Sequence, residues 1–118
     1  MIQHVAREVE ASDIPSCLAF YAVLGFIEVA VPESLSGRAV WLECERGGTQ
    51  LHLLLTPEAQ PERGHIAVVV DDFEATVRSL EAAGHEVDRR RAHWASPRAY
   101  VTDPAGHIVE FMAFGPGG

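Results

Sequence analysis

The sequence predicts an α+β protein built from two copies of one unit, each a strand, a helix and three further strands. Three observations carry that prediction. The run His4-Val5-Ala6 returns as His65-Ile66-Ala67 at the head of a second apolar stretch. Each run is followed by apolar residues at helical spacing that end on a glycine, Gly25 or Gly84, 21 and 19 residues after the histidine. Finally, Gly48 and Gly106 each stand four residues ahead of a side chain able to bind metal, His52 and Glu110. The two-residue difference falls in the connection at residues 10–12, where added loop length costs little.

Within the first copy, residues 2–9 read as a strand with Val5, Arg7 and Val9 on one face and Ile2, His4 and Ala6 on the other. Ser12 or Asp13 caps a helix whose apolar positions are Ile14, Cys17, Leu18, Tyr21 and Leu24, and Gly25 stands where a left-handed C-terminal residue belongs. Residues 26–31 form a strand stopped by Pro32. Residues 38–45 alternate Val40, Leu42 and Cys44 against Trp41, Glu43 and Glu45, and Gly47-Gly48 turns the chain into a strand at 49–55. A linker with two prolines follows at 57–63, so module one is 1–56 and module two is 64–114. In the second copy, residues 64–70 form a strand and Asp71 or Asp72 caps a helix through Phe73, Val77, Leu80 and Ala83. Strands are expected at 85–89, 98–102 and 108–114. Asp103-Pro104-Ala105-Gly106 has the residue chemistry of a tight turn.

Composition narrows the function classes. A chain of 118 residues is long enough to bury a core as one domain without disulfides. Seventeen acids against nine arginines and no lysine give a net charge of −8, which argues against nucleic acid or an anionic membrane as partner and leaves room for a cationic ligand. Cys17 and Cys44 lack metal-type spacing and read as reduced thiols, as expected of a cytoplasmic protein. No apolar run approaches the roughly 20 residues of a membrane span, and no signal-peptide pattern opens the sequence.

Strand parity then picks out four side chains. Leu51, Leu53 and Leu55 make one face of their strand and leave His52 on the other; Ile66, Val68 and Val70 do the same to His65, and Val109, Phe111 and Ala113 to Glu110. The apolar faces are natural seats for the helices, which turns His4, His52, His65 and Glu110 away from them. Three imidazoles and a carboxylate suit a divalent transition metal, Zn, Ni, Co, Mn or Fe. Taken singly, each has an ordinary explanation as a satisfied or solvent-facing polar residue. Their shared parity at repeat-equivalent positions favours a metal site. His85, His93 and His107 fall at turns or in irregular chain and read as surface residues, His93 beside Trp94 being the one best placed to touch a ligand. Arg89-Arg90-Arg91 reads as a solvated charge run or a contact for an anionic group. Trp41 and Tyr100 can serve either core or pocket.

Phe20-Tyr21-Ala22-Val23-Leu24-Gly25-Phe26, Gly64-His65-Ile66-Ala67 and Asp103-Pro104-Ala105-Gly106-His107-Ile108-Val109-Glu110 together resemble the vicinal oxygen chelate superfamily, which includes glyoxalase I, bleomycin resistance proteins and extradiol dioxygenases. The resemblance spans essentially the whole chain. It implies two tandem βαβββ modules forming a curved mixed sheet, with helices on the outer face and a metal and ligand cleft on the inner face. It places the family's metal positions at His4, His52, His65 and Glu110, although His52 stands where glyoxalase and epimerase members commonly have Glu or Gln. It further implies a homodimer and a small-molecule substrate or drug, for which Trp41, His93, Trp94 and Tyr100, singled out above, are the candidate contacts. The activity it implies is that of a metal-dependent isomerase or lyase with Glu110 as proton shuttle. An extradiol dioxygenase using His4, His65 and Glu110 is an alternative; so is a metal-free drug-binding protein of the bleomycin-resistance type.

Overall fold

Each half of the chain closes a hydrogen-bonded sheet of its own. The computed structural model describes residues 1–61 and 63–117; Glu62, inside the expected linker, and the terminal Gly118 lie outside the described residues. The first compact unit is Met1–Pro61 and the second takes the rest of the chain.

In the first unit, β1 (His4–Val9) leads through a 3-10 turn at Ala11–Asp13 to α1 (Ile14–Val23), then β2 (Phe26–Val29), β3 (Ala39–Cys44) and β4 (Gln50–Leu55). The second unit repeats the order with β5 (His65–Val69), α2 (Phe73–Ala82), β6 (Asp88–Arg90), β7 (Arg98–Thr102) and β8 (Ile108–Met112). The sheets run β1-β4-β3-β2 and β5-β8-β7-β6. In both, first and last strands pair in parallel and the other neighbours are antiparallel. A parallel pair cannot be joined by a tight turn, so the helix and the antiparallel strands lie between its members in sequence. This is the α+β, tandem βαβββ architecture that the repeat predicts.

The helix boundaries follow from local chemistry. Gly25 and Gly84 both have φ of 91°, a left-handed conformation costly for other residues, and stop α1 and α2. Asp72 Oδ1 accepts a hydrogen bond from the Ala75 N–H at 3.0 Å, as an N-cap should. At α1 neither Ser12 nor Asp13 caps as expected: the 3-10 turn includes both residues, and Asp13 stands at the N-cap without a side-chain bond.

Each helix covers the apolar face of its sheet. Tyr21 of α1 meets Phe26 edge-on at 5.7 Å, and Phe73 of α2 packs on Phe111 at 5.2 Å. Val9, Cys17 and Leu53 in the first unit, and Leu80, Ala99, Val109 and Phe111 in the second, have no exposed surface. Fully burying one leucine or phenylalanine contributes about 1.5–3 kcal/mol, so these layers supply the main stabilisation of each unit.

Three further sequence expectations change. His107 is not a surface residue: it is 2% exposed. It shares the parity of Val109 and Phe111, and Asp103 ties its backbone from both sides, with the Asp103 N–H donating to the His107 carbonyl at 2.7 Å and Asp103 Oδ1 accepting the His107 N–H at 2.9 Å. The strand expected at 85–89 forms at Asp88–Arg90, because the His85 N–H still donates to the Leu80 carbonyl at the helix end. The last strand stops at Met112 rather than Phe114, since Ser96 Oγ accepts the N–H groups of Ala113 and Phe114, each at 3.1 Å. The arginine run divides: Arg89 makes a bidentate pair with Glu74 on α2, and Arg90 pairs with Asp88 at 2.9 Å.

Candidate metal and ligand site

The two sheets carry the same constellation at equivalent register. In the first unit Ala6 pairs with His52 and His52 with Trp41; in the second Ala67 pairs with Glu110 and Glu110 with Tyr100. His4 and His65 each precede their alanine by two residues. Thus His4 corresponds to His65, Trp41 to Tyr100 and His52 to Glu110. All six share the parity opposite to the helix-covered residues Leu51, Leu53, Val109 and Phe111.

In the second unit His65 Nε2 lies 3.3 Å from Glu110 Oε1. Glu110 is 6% exposed, and a carboxylate so buried needs a cation or donors. Arg98 supplies one, its guanidinium 3.6 Å from the same Oε1. Arg98 also lies 5.7 Å from the centre of the Tyr100 ring and donates from Nε to the Arg91 carbonyl at 2.9 Å. Tyr100 takes a second guanidinium, Arg90, at 5.0 Å and the edge of His65 at 5.1 Å. An open cleft of about 700 Å³ borders this group, lined by His65, Tyr100, Thr102, Ile108, Asp88 and Arg90 among others.

In the first unit the rings stack. His52 lies between Trp41, at 4.1 Å and 3° between planes, and His4, at 4.0 Å and 10°. His52 Nε2 donates to Gln50 Oε1 at 2.8 Å, and Gln50 in turn donates to Glu43 at 3.2 Å. Burial, and secondarily the positive charge of a protonated His4, hold His52 below the ordinary imidazole pKa. Sequence reasoning placed Trp41 near this point but did not foresee that it would cover the imidazole face.

These donors fit a metal unequally. Two ligands bound to one ion at roughly 2.1 Å stand about 3.0–3.4 Å apart, which matches His65 and Glu110. His4 and His52 do not match as they stand. An imidazole lone pair lies in the ring plane, and one ion cannot lie in two parallel planes separated by a stacking distance. Joining them to an ion requires the stack to open, at a cost on the order of 1 kcal/mol. Among the described residues no three or more His, Cys, Asp or Glu side chains are gathered where one ion could hold them. His93 is exposed, and the Trp94 indole N–H donates to the Phe114 carbonyl at 2.8 Å; neither lines the cleft beside His65.

Arg98 is the residue that sequence reasoning missed. Its signal was present: Arg98 stands two residues before Tyr100, on the strand and parity that face Glu110.

Comparison with known proteins bears on the same residues. The family model described as glyoxalase/bleomycin resistance protein/dioxygenase superfamily matches residues 1–111. The chain belongs to that superfamily. A glyoxalase-family crystal structure from Bacillus anthracis is 30% identical, with a TM-score of 0.82 over 95% of this chain and 93% of that one. Two further superfamily folds are each 24% identical over 95% of this chain. One is a lactoylglutathione lyase from Agrobacterium tumefaciens, with a TM-score of 0.70 and 92% of its chain covered; the other is an antibiotic-binding protein from a Streptomyces species, at 0.73 and 93%. No curated protein matches the sequence. At this identity the last two show the shared superfamily fold, and one such fold hosts several chemistries. No helix among the described residues is long and apolar enough to cross a membrane.

Proposed function

We propose that this superfamily member is a metal-dependent enzyme of the glyoxalase type, an isomerase, lyase or related catalyst, acting on a small substrate with two neighbouring oxygen atoms. The carrying observation is the His65–Glu110 pair, 3.3 Å apart, with His65 lining an open cleft and Glu110 buried behind it. His4 and His52 stand at the equivalent register of the first unit and are the other two candidate ligands; a homodimer is the expected assembly. A divalent ion bound there would supply a Lewis acid to the substrate oxygens. Tyr100, Thr102 and Ile108 shape the cleft beside His65 and orient the substrate. Glu110 is the proton-transfer group, a buried carboxylate held by His65 and Arg98. The same superfamily contains the lactoylglutathione lyase fold described above, which supports this class of chemistry without fixing the substrate.

One set of contacts favours a second reading, a protein that binds a small molecule or drug without metal. Arg98 already offsets the Glu110 charge, and the exposed His4 and half-buried Trp41, stacked on either side of the buried His52, offer aromatic surface for a planar molecule. An antibiotic-binding protein shares the fold. Calorimetric titration of chelator-stripped protein with Zn²⁺ and with Mn²⁺ separates the two. The enzyme reading expects near-stoichiometric binding that weakens at least a hundredfold in His65→Ala and in Glu110→Gln. Absence of binding, together with retained affinity for a planar cationic dye, would overturn it in favour of the second.

A further inference from the structure

The repeat holds an internal contrast that the metal reading does not explain. Tyr100 corresponds to Trp41, so the residue two before it, Arg98, corresponds to Ala39; their register partners, Met112 and Leu54, correspond as well. Where the last strand carries a carboxylate, Glu110, its neighbour supplies an arginine. Where it carries an imidazole, His52, the same position holds a buried alanine with no charge. Arg98 therefore follows the charge at the central position of its own sheet.

The contact itself is specific. Arg98 and His65 approach one oxygen, Oε1 of Glu110, at 3.6 and 3.3 Å, and that is the oxygen an ion shared with His65 would take. The guanidinium is held from three directions: by Glu110, by the Arg91 carbonyl and by the Tyr100 ring. Its side chain is 11% exposed, so solvent screens it little. A divalent ion arriving beside Oε1 meets a fixed positive charge, and the two repel in a site of reduced dielectric.

We propose that Arg98 is a built-in counter-ion of Glu110, a positioning residue that holds the carboxylate when no ion is present and weakens the hold of the site on a divalent ion. This inference rests on the metal reading above and is tested so that the two can fail separately. The measurement is competition titration of Zn²⁺ and Mn²⁺ against a fluorescent chelator at pH 8, using chelator-stripped full-length protein. Arg98→Met keeps an apolar stem against Tyr100 and removes the charge; it should bind each ion at least tenfold more tightly than wild type. Arg98→Lys restores a charge and should return affinity to within about threefold of wild type. An Arg98→Met protein that binds no more tightly than wild type overturns the inference and leaves the metal reading standing. Binding by Arg98→Met but not by wild type upholds the inference and overturns the metal reading for the natural chain. If neither binds, both fall. Should Arg98→Met fail to fold, Arg98→Gln takes its place. A metal-free arm uses thermal unfolding in chelator of Arg98→Gln, Glu110→Gln and the double variant: coupled losses are expected, and additive losses overturn the pairing.

Discussion

Asp103→Ala should destabilise the protein by about 3 kcal/mol, through the turn that aligns β8 rather than through any contact with ligand. Asp103 is 3% exposed, and its Oδ1 accepts the N–H groups of Ala105 and His107, both at 2.9 Å. Hydrogen bonds to a charged group contribute about 1.5–3 kcal/mol each, and removing the acceptor leaves the largely enclosed His107 N–H without it. Taking the lower figure twice, because Ala105 is only half-buried, gives about 3 kcal/mol. For a chain of this length that corresponds to a fall in melting temperature of roughly 10 °C. Urea unfolding followed by circular dichroism measures it directly, with Asp103→Asn, which keeps an acceptor oxygen, as the control expected to lose less than half as much. A loss below about 1 kcal/mol in Asp103→Ala would refute the reasoning, since the turn would then hold its shape on backbone bonds alone.

Other outcomes follow from single contacts. Glu74 is held below the ordinary carboxylate pKa first by its hydrogen bonds to Arg89, so the pair stabilises above the usual pKa of 4.5 and the contribution is lost as pH falls through the lowered value. Glu74→Gln should therefore narrow its stability gap to wild type on acidification, and also in 1 M salt because the pair is exposed; a gap that ignores both contradicts the assignment. His52 stacks on Trp41, so Zn²⁺ bound to His52 should alter Trp41 emission in a Trp94→Phe background; metal binding with unchanged emission would show that His52 is not a ligand.

The strand order was legible because its markers are local. Gly25 and Gly84 must stand at positive φ wherever these helices end, and the apolar alternation of Leu51, Leu53, Val109 and Phe111 fixes which way their neighbours point. The correspondence of His4 with His65 could be counted from the glycines, and the register agrees with that count. Long-range contacts were not legible in the same way. The shared parity of Arg98 and Tyr100 could be read along the strand, but the meeting of Arg98 with Glu110 could not, because it depends on β7 and β8 running antiparallel with Tyr100 opposite Glu110. The stacking of Trp41, His52 and His4 likewise joins three strands. Burial of His107 was hidden by its place beside a turn, although its parity with Val109 carried the information.

The central claim, that His65 and Glu110 anchor a metal centre, is tested most directly by elemental analysis of untagged protein purified without added metal. The account predicts close to one equivalent of Zn, Ni, Co, Mn or Fe per chain in wild type and less than a tenth of that in His65→Ala and in Glu110→Gln. Wild-type protein free of all five, or a metal content unchanged in both variants, would contradict it.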